Sequence, residues 1–418
     1  IRFAGFTDPW EQRKLGELAS KRIEKNSNGI KETFTNSAEH GVVSQLDYFD
    51  HDITNDANIG NYSVVYPDDF VYNPRISTIA PCGPINRNKL GRNGVMSPLY
   101  TVFSVDDMIS KLYLEHYFKT NRWHQFMFLE GNSGARSDRF SISDSIFFEM
   151  PIQCPVLEEQ ELIASFFDRL DSLITLHQRK YDKLCVLKKS MLDKMFPKGG
   201  SLYPEIRFAG FTDPWEQRKL SELVEIERGG SPRPIERYIT DDPCGLNWVK
   251  IGDAPELGRY ITQTAEKIKP EGLAKTRQVY PGDLVLSNSM SFGRPYIMAI
   301  KGCIHDGWLL IRDAQKHFDP IFLCHMLGAP QMLNQYRMFA AGSTVNNLNK
   351  ELVGKAIVSL PSKDEQREIG IVLDRLDSLI TLHQRKYCGV ASWMLGVALV
   401  RLGSESDGAF GEMKHVLR

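Results

Sequence analysis

The sequence contains no apolar run of about 18 residues, so it predicts no membrane-spanning helix and no membrane partner. It also lacks net charge, because 51 lysine and arginine residues nearly balance 52 aspartate and glutamate residues, which leaves a formal charge of −1. Such a chain has no general attraction to nucleic acid. Any binding of that kind must depend on local patches of basic side chains.

Paired cysteines are missing as well. The seven cysteines are odd in number, scattered along the chain, and form no C-x-x-C pair. This pattern indicates reduced thiols in a cytoplasmic protein and predicts no metal site. The chain has 418 residues, of which 42% are apolar, and is therefore long enough for two or three domains with separate cores.

Nucleotide-binding and catalytic motifs are absent too. The sequence has neither a G-x-x-x-x-G-K-S/T loop nor a G-x-G-x-x-G turn. The segment Asn73-Pro74-Arg75-Ile76 is similar to the Asn-Pro-Pro-aromatic motif of amino-methyltransferases, but it lacks the second proline and the aromatic residue. We therefore expect a protein that is not itself an enzyme and that binds no cofactor of its own.

What the chain does have is an internal repeat. Residues 1–15 return unchanged as residues 206–220, and residues 168–181 return as residues 374–387. The stretches between these identities share almost nothing, so the pattern is constant–variable–constant, twice. It divides the chain into a constant strip (1–18), a first variable block (19–152), a long helix with a linker (153–200), a repeated strip (206–223), a second variable block (224–358), a second long helix (359–390) and a divergent tail expected to be disordered (391–418).

Both variable blocks are expected to be α+β. Short β-like runs separated by turn residues fall at 62–66, 70–72 and 100–105 in the first block, and at 278–280, 284–286, 296–300 and 308–311 in the second. One helix is expected in each block, over residues 106–119 and residues 320–327.

The two long helices carry matching apolar stripes. Their members recur in steps of three and four, which predicts packing against a partner helix, and they are Ile163, Phe167, Leu170, Ile174, Tyr181 and Leu184 in the first helix and Ile369, Leu373, Leu376, Ile380 and Tyr387 in the second. His177 and His383 fall on the same stripes, and we interpret them as packed positions rather than metal ligands. Two identical stripes in one chain most simply bury each other as an antiparallel coiled coil, with a pseudo-twofold repeat. About 40 residues at about 1.5 Å each make such a helix roughly 60 Å long.

Two variable blocks held by two constant helices would fix the distance between two recognition surfaces. A linear target with two parts is the natural ligand, and double-stranded DNA fits this geometry best. Arginine and lysine suit phosphates and guanine, and asparagine suits adenine. The candidate DNA-binding residues lie in loop-like surroundings and are Arg75, Lys89, Arg92, Arg136, Arg139, Arg228, Arg233, Lys250, Arg294, Asn346 and Asn347, with Arg87 and Arg237 in similar surroundings.

This arrangement closely resembles the specificity subunit of type I DNA restriction–modification systems. The resemblance covers about residues 1–387 and depends on several motifs taken together. These are the strip IRFAGFTDPWEQRKL, the DRLDSLITLHQRKY helices, Pro155 followed by Glu159-Gln160 and Ile163 with the copy Pro361, Glu365-Gln366 and Ile369, and the segment GSTVNNLN at residues 342–349.

The resemblance implies a DNA-reading subunit without catalytic activity. Each target recognition domain would read one half of a split DNA site, and the helices would set the gap and dock two modification subunits. Those partners would bind S-adenosylmethionine and methylate adenine, while restriction subunits would add translocation and cleavage that require ATP and Mg. The chain departs from the family after Tyr387, where the expected helix continuation is replaced. A structural scaffold with two protein-binding modules on a coiled coil is the alternative.

Overall fold

The structure is a computed structural model that describes residues 2–49, 59–132, 138–288, 293–340 and 348–400. Within these residues the chain divides into two compact units, residues 2–173 with 394–400 and residues 174–393. Both units mix helices and sheets, as the sequence predicts, and each has a hydrophobic core of its own.

The first unit is a set of small antiparallel sheets flanked by helices. Its strands are β1 Glu11–Lys14, β2 Ala19–Lys21, β3 Phe34–Ser37, β4 Gly41–Ser44, β5 Ser63–Val65, β6 Phe70–Tyr72, β7 Ile85–Arg87, β8 Gly94–Met96, β9 Thr101–Val105 and β10 Pro151–Cys154. Its helices are α1 Leu15–Leu18, α2 Gln45–Tyr48, α3 Lys111–Phe118, α4 His124–Glu130, α5 Asp144–Phe147 and α6 Leu157–Lys194, the last of which continues into the second unit. The largest sheet has four strands in the order β2-β9-β6-β7. The pairs β1-β10, β3-β4 and β5-β8 form separate two-stranded sheets.

The second unit contains two five-stranded sheets. Its strands are β11 Glu216–Lys219, β12 Glu225–Arg228, β13 Ile239–Thr240, β14 Leu246–Val249, β15 Tyr260–Ile261, β16 Glu266–Ile268, β17 Arg277–Val279, β18 Leu284–Ser287, β19 Pro295–Met298, β20 Gly302–Ile304, β21 Trp308–Arg312 and β22 Ile357–Leu360. Its helices are α7 Pro320–Leu327, α8 Pro330–Ala340, α9 Lys350–Gly354 and α10 Lys363–Val400. The sheets have the orders β12-β21-β18-β19-β15 and β13-β16-β14-β20-β17, and β11 pairs with β22.

The starts of three helices differ from the sequence-based boundaries. The two long helices begin at Leu157 and Lys363, while the residues expected to open them belong to strands β10 and β22. A proline precedes each start and favours an extended residue before it, so the strand must end before the helix begins. Helix α3 begins at Lys111 instead of residue 106, because Ser110 is its N-cap and accepts a hydrogen bond from the Tyr113 amide.

The expectation of a disordered tail from residue 391 is wrong for its first ten residues. Helix α10 continues to Val400, and residues 401–418 lie outside the described part of the chain. The segment 390–400 contains no proline and is rich in alanine, leucine, valine and methionine, which tolerate a helix despite Gly396. In the part of the chain that the structure describes, no helix is both long and apolar enough to cross a bilayer.

The apolar stripe of α6 is divided between two neighbours. Its first members pack on the core of their own unit, where Ile163 and Ala164 are buried and Phe167 packs against them. Ile369 and Leu373, the counterparts of Ile163 and Phe167, are likewise buried in the core of the second unit. The expectation that the stripes bury only each other was therefore too simple, because each helix also closes the core of its own block.

Further along, α6 meets α10 within the second unit. His177 lies against His383, with 3.0 Å between the two Nδ1 atoms, and Lys188 forms an ion pair with Asp377. The partner residues move in opposite directions along the two helices, so this stretch is antiparallel. The surrounding core includes Leu184, Met191 and Leu192 of α6 with Ile369, Leu373 and Leu376 of α10.

Candidate nucleic-acid interface

A matching arginine–glutamate clamp holds the constant strip of each unit to its long helix. In the first unit, Arg2 donates two hydrogen bonds of 2.7 Å to the carboxylate of Glu159. In the second unit, Arg207 donates to Glu365 at 2.7 and 2.8 Å. Both carboxylates are almost fully buried, and a planar guanidinium that binds through two bonds gives this pairing a fixed geometry.

The strip also adds a strand next to each clamp. Strand β1 pairs with β10, which leads into α6, and strand β11 pairs with β22, which leads into α10. The registers match, because Glu11 faces Cys154 and Glu216 faces Leu360. The first and last strands of each unit are therefore joined in the same way, although the blocks between them have different sheets.

The first unit has an open groove of 690 Å³, lined by both polar and apolar side chains, beside β3, α2 and the segment after β6. Asn73 and Arg75 lie in this groove together with Asn36, Gln45 and Tyr48. Asn73 holds the groove wall, because its side chain donates to the Asn36 carbonyl at 2.8 Å and accepts from the Arg75 amide at 3.0 Å. The Arg75 side chain is exposed and available to a ligand.

The structure brings Arg75 and Arg139 together from distant parts of the sequence. They are partners in an antiparallel β-bridge, flanked by hydrogen bonds from the Ile76 and Phe140 amides. Arg139 is half-buried, and the nearest carboxylate oxygen, on Asp138, is 4.0 Å from its Nε. The backbones of two arginines are thus paired, although only Arg75 lines the groove.

Lys89 and Arg92 are occupied by internal ion pairs. Lys89 and Arg87 both bind the buried Glu115 at 2.8 Å, and Arg92 binds Glu32 at 3.0 Å. Burial acts to raise the pKa of the Glu115 carboxyl, but the bonds from Lys89 and Arg87 outweigh it and leave that pKa lowered. These cations are therefore held in place, and about half of each side chain of Lys89 and Arg92 remains exposed.

In the second unit, Arg228 and Arg233 flank one loop. Arg228 donates to the Asp306 carbonyl at 3.2 Å, and Ser231 donates to the Asp306 carboxylate at 2.8 Å. Gly229 and Gly230 allow the close approach, because an added Cβ would lie 2.2 Å from the His305 carbonyl oxygen at Gly229 and 2.4 Å from that of Lys275 at Gly230. Arg233 is exposed on the same loop.

Lys250 and Arg294 lie at separate places in the second unit. Lys250 forms an ion pair with Glu266 at 2.5 Å. Arg294 donates to the Glu256 carbonyl at 2.5 Å, with its guanidinium carbon 5.1 Å from the centre of the Tyr296 ring. Arg294 also lines a cavity of 380 Å³ whose other basic residues are Lys188, Lys189, Arg259 and His325.

Three of the candidates, Arg136, Asn346 and Asn347, lie outside the described residues. Sequence reasoning missed the groove residues Gln45 and Tyr48, whose position depends on contacts between distant strands. A single glutamine after a strand carries no signal of its own, and none of the motifs in the sequence points to it.

His177 and His383 bring two potential metal-binding side chains together where α6 meets α10. Burial lowers the pKa of His177, and His383, Lys386 and Lys180 lower it further. One ring nitrogen can donate to the other only while at least one of the two imidazoles is neutral. Within the described residues, no three histidine, cysteine, aspartate or glutamate side chains are grouped as metal ligands.

Comparison with known proteins places these features in a wider context. The model of the type I restriction modification DNA specificity domain matches this chain twice, over residues 7–185 and 212–390. Each match contains most of one strip, one variable block and most of one long helix.

Individual relatives agree with this match. The type I restriction enzyme MjaVIII specificity subunit of Methanocaldococcus jannaschii is 23% identical over 310 residues, which are 71% of each chain. The putative type I restriction enzyme MjaX specificity subunit of the same organism is 22% identical over 281 residues, 66% of this chain and 62% of that protein. The crystal structure of a type I restriction-modification system S subunit from M. genitalium shares the fold with a TM-score of 0.52, at 14% identity, over 97% of this chain and 98% of that one.

Proposed function

The chain belongs to the type I restriction modification DNA specificity domain family, and from this premise we propose that its two units read the two halves of a split site in double-stranded DNA. It is a non-catalytic specificity subunit of a type I restriction–modification system. The alternative is a scaffold with two protein-binding modules on a coiled coil.

One observation supports the proposal above the others: the same clamp is built twice around different blocks. Arg2 with Glu159 and Arg207 with Glu365 make the same bonds, while the enclosed sheets differ in strand number and order. A framework that is kept constant around dissimilar blocks is expected of a protein whose blocks recognise different sequences.

For the first unit we propose that the groove beside Arg75 reads bases. Arginine can bind guanine and amides can bind adenine through paired hydrogen bonds, and Arg75 and Gln45 supply such groups in the groove. We propose Arg139, the bridge partner of Arg75, as a further contact beside it. Lys89 and Arg92 are held by carboxylates and partly exposed, which suits phosphate contacts that set position. Arg136 adds to this surface in the proposal.

For the second unit we propose the loop of Arg228 and Arg233 as the reading surface, with Arg294, Asn346 and Asn347 as further base contacts. Lys250 is proposed as a phosphate contact, because its pair with Glu266 leaves it partly exposed. Phosphate contacts give affinity that falls with added salt, and base contacts give sequence preference.

The spacer in this proposal is the pair of long helices as an antiparallel coiled coil with a pseudo-twofold repeat. The His177–His383 contact and the Lys188–Asp377 ion pair support it, since both join α6 to α10. Paired helices are stiff along their length, so they would keep two reading surfaces at one separation.

The repeated helices also present the same apolar surface twice. Leu173 and Leu176 are 44% and 45% exposed, and their copies Leu379 and Leu382 are 43% and 45% exposed. Two matching leucine pairs fit two copies of one partner, and we propose that these partners are two modification subunits. S-adenosylmethionine would bind to them, ATP and Mg would serve restriction subunits, and the complex would work in the cytoplasm.

The first test is selection from a randomised duplex library by the chain with its modification subunits. We expect an enriched motif with two fixed parts separated by a gap of arbitrary sequence, and binding that weakens as salt increases. If no duplex is retained at any salt concentration while the complex assembles, the scaffold alternative is favoured.

The second test is exchange of residues 224–358 for an unrelated recognition block. We expect one half of the motif to change and the other to stay, because the clamp at Arg2 and Glu159 is untouched. A change in both halves would contradict the modular proposal.

A further inference from the structure

Helix α3 of the first block is bound at both ends by the constant helix α6. At its start, the Ser110 amide donates to Gln160 Oε1 at 2.8 Å. At its end, Lys119 donates to Asp171 Oδ2 at 2.9 Å. Ser110 is the N-cap and Lys119 the C-cap of α3, so the two contacts fix both position and direction.

Helix α7 of the second block is bound by the same positions of α10. The amide of its N-cap residue, Asp319, donates to Gln366 Oε1 at 2.8 Å. Asp377, the copy of Asp171, binds the Arg259 guanidinium, which also lies 3.0 Å from Asp374. The cation thus comes from the loop before β15 in one unit and from the end of α3 in the other.

Each glutamine is oriented by a hydrogen bond to a constant residue outside the block. Gln160 and Gln366 are both 1% exposed, and each donates its Nε2 to a constant proline carbonyl, Pro155 at 2.8 Å or Pro361 at 3.0 Å. The remaining oxygen then points to the first amide of a block helix. The amide groups at a helix start have no acceptor within the helix, so they are the natural donors for such a contact.

We propose that Gln160 with Asp171, and Gln366 with Asp377, form a mount for each block, which sets the direction of the block and thereby of its DNA-reading surface. These four are positioning residues, and the proposal depends on the proposed function for its consequence at DNA. The two blocks share no sequence at the contacts, yet each places a helix-start amide and a cation on the same two sites. A block exchanged between relatives needs only those two groups to fit.

The mount is connected to the candidate interface in both units. Glu115 on α3 holds Arg87 and Lys89, so a shift of α3 moves both cations. Helix α7 packs on β19, which begins directly after Arg294. A loosened mount should therefore weaken recognition in its own unit and leave the other unchanged.

Gln160→Met and Gln366→Met are the matched variants, because methionine keeps the size of glutamine and removes its hydrogen bonds. Gln160 loses two bonds and Gln366 loses three, since its Nε2 also donates to the His317 carbonyl at 3.3 Å. Hydrogen exchange followed by mass spectrometry would report α3 and α7 separately in the full chain. We expect Gln160→Met to speed exchange in α3 by about five- to tenfold, the factor of one lost hydrogen bond, and to leave α7 unchanged. Gln366→Met should do the reverse.

A second pair of variants, at Ser110, tests the same contact without changing a buried glutamine. Ser110 has φ −65 and ψ 123, a conformation that proline adopts. Ser110→Pro removes the amide that Gln160 binds, whereas Ser110→Ala keeps it, and both lose the hydroxyl that caps α3. Faster exchange of α3 in Ser110→Pro than in Ser110→Ala isolates the mount contact.

Selection from a randomised duplex library, with modification subunits present, gives the functional readout. We expect Gln160→Met to broaden one half of the motif and Gln366→Met to broaden the other. If hydrogen exchange in a glutamine variant is unchanged, or is altered equally in α3 and α7, the mount proposal is wrong. If hydrogen exchange changes in one unit only, but both halves of the selected motif broaden equally, the glutamines do not position the reading surface of their own unit. If the unmodified chain selects no two-part motif, the proposed function fails, and exchange still decides whether the mount exists.

Discussion

At the scale of single residues, Arg259 shows how burial decides the weight of an ion pair. Its side chain is 5% exposed and binds Asp374 and Asp377, whereas Lys119 and Asp171, the pair in the first unit, are 49% and 41% exposed. Removing one partner of a buried ion pair can leave an unpaired charge inside the protein, whereas water screens an exposed pair.

We expect Arg259→Met to lower the free energy of unfolding by about 2 kcal/mol, because the hydrogen bonds of a buried guanidinium to two carboxylates are lost, although Asp377 keeps Lys188 and Asp374 is partly exposed. Lys119→Met is the matched control and should lower it by at most about 1 kcal/mol. Urea unfolding of both variants measures the difference. Equal effects would show that burial does not govern these pairs.

The histidines give the chain a sensitivity to acid. Burial lowers the pKa of His177 and, more strongly, that of His325. A histidine whose folded pKa lies below its ordinary value near about 6.5 binds fewer protons when folded, so stability is lost as pH falls below about that value. Protonation of His177 would also place a positive charge near the cations Lys180 and Lys386, which opposes it.

We therefore expect the melting temperature to fall between pH 7.5 and pH 5.5, and to fall less in the double variant His177→Gln with His383→Gln. The double variant removes the contribution of His177 and keeps that of His325. The remaining dependence of its melting temperature on pH is therefore the internal control. An identical slope in both proteins would show that protonation of His177 does not contribute to stability in this range.

Sequence reasoning at this scale named the chemical types but not their partners. Arg75 and Arg139 could be proposed as cations, yet nothing in the sequence places them in one β-bridge. Lys89 was expected to face DNA, and its bond to Glu115 depends on the fold. Partners across 26 or more residues are set by tertiary packing, which local patterns do not contain.

At the scale of elements, the turn at Gly83 supports the groove of the first unit. Gly83 has φ +82, and a Cβ there would lie 2.0 Å from the Asn73 carbonyl oxygen. Gly91 has φ +67 with no atom within 4 Å of the same position. Both glycines avoid the backbone strain of a left-handed residue, but only Gly83 lies against the groove wall.

We expect Gly83→Ala to weaken duplex binding or broaden one half of the selected motif, since Asn73 and the adjacent Arg75 must shift. Gly91→Ala adds similar backbone strain in open space and serves as the control. The measurement is titration of the complex with a selected duplex. Equal losses in the two variants would attribute the effect to strain alone and not to the groove.

Elements with strong local signals were predicted well. Helix α7 has the expected bounds, because Asp319 caps it and Pro320 fits its first turn. Strand β6 also has its expected bounds. At the start of α10, the Ser362 hydroxyl accepts a hydrogen bond from the Glu365 amide, while the Glu365 side chain binds Arg207.

At the scale of the whole molecule, the repeated residues of the sequence make repeated contacts in the structure. Constant residues such as Arg2 and Glu159 meet at the ends of a block in the structure, and their copies do the same. The sheet orders could not be predicted, because pairing of β15 with β19, for example, joins strands separated by several others. Identity between repeats is visible in a sequence, whereas strand pairing depends on the fold.

The spacer proposal leads to a prediction about length. One heptad inserted after His177, and another before His383, would lie opposite each other and preserve the stripes, because seven residues are close to two helical turns. At about 1.5 Å per residue the helices grow by about 10 Å, which equals about three base pairs at roughly 3.4 Å each. We expect the gap in the selected motif to widen by about three base pairs, with both halves unchanged.

Insertion of the heptad in only one of the two helices is the control for this prediction. It shifts the stripe of α6 past that of α10 and separates His177 from His383, so the complex should lose two-part recognition and not gain a wider gap. Library selection followed by sequencing measures both. A gap that stays the same in the doubly lengthened chain would mean that the helices do not set the separation of the reading surfaces, whatever else they hold in place.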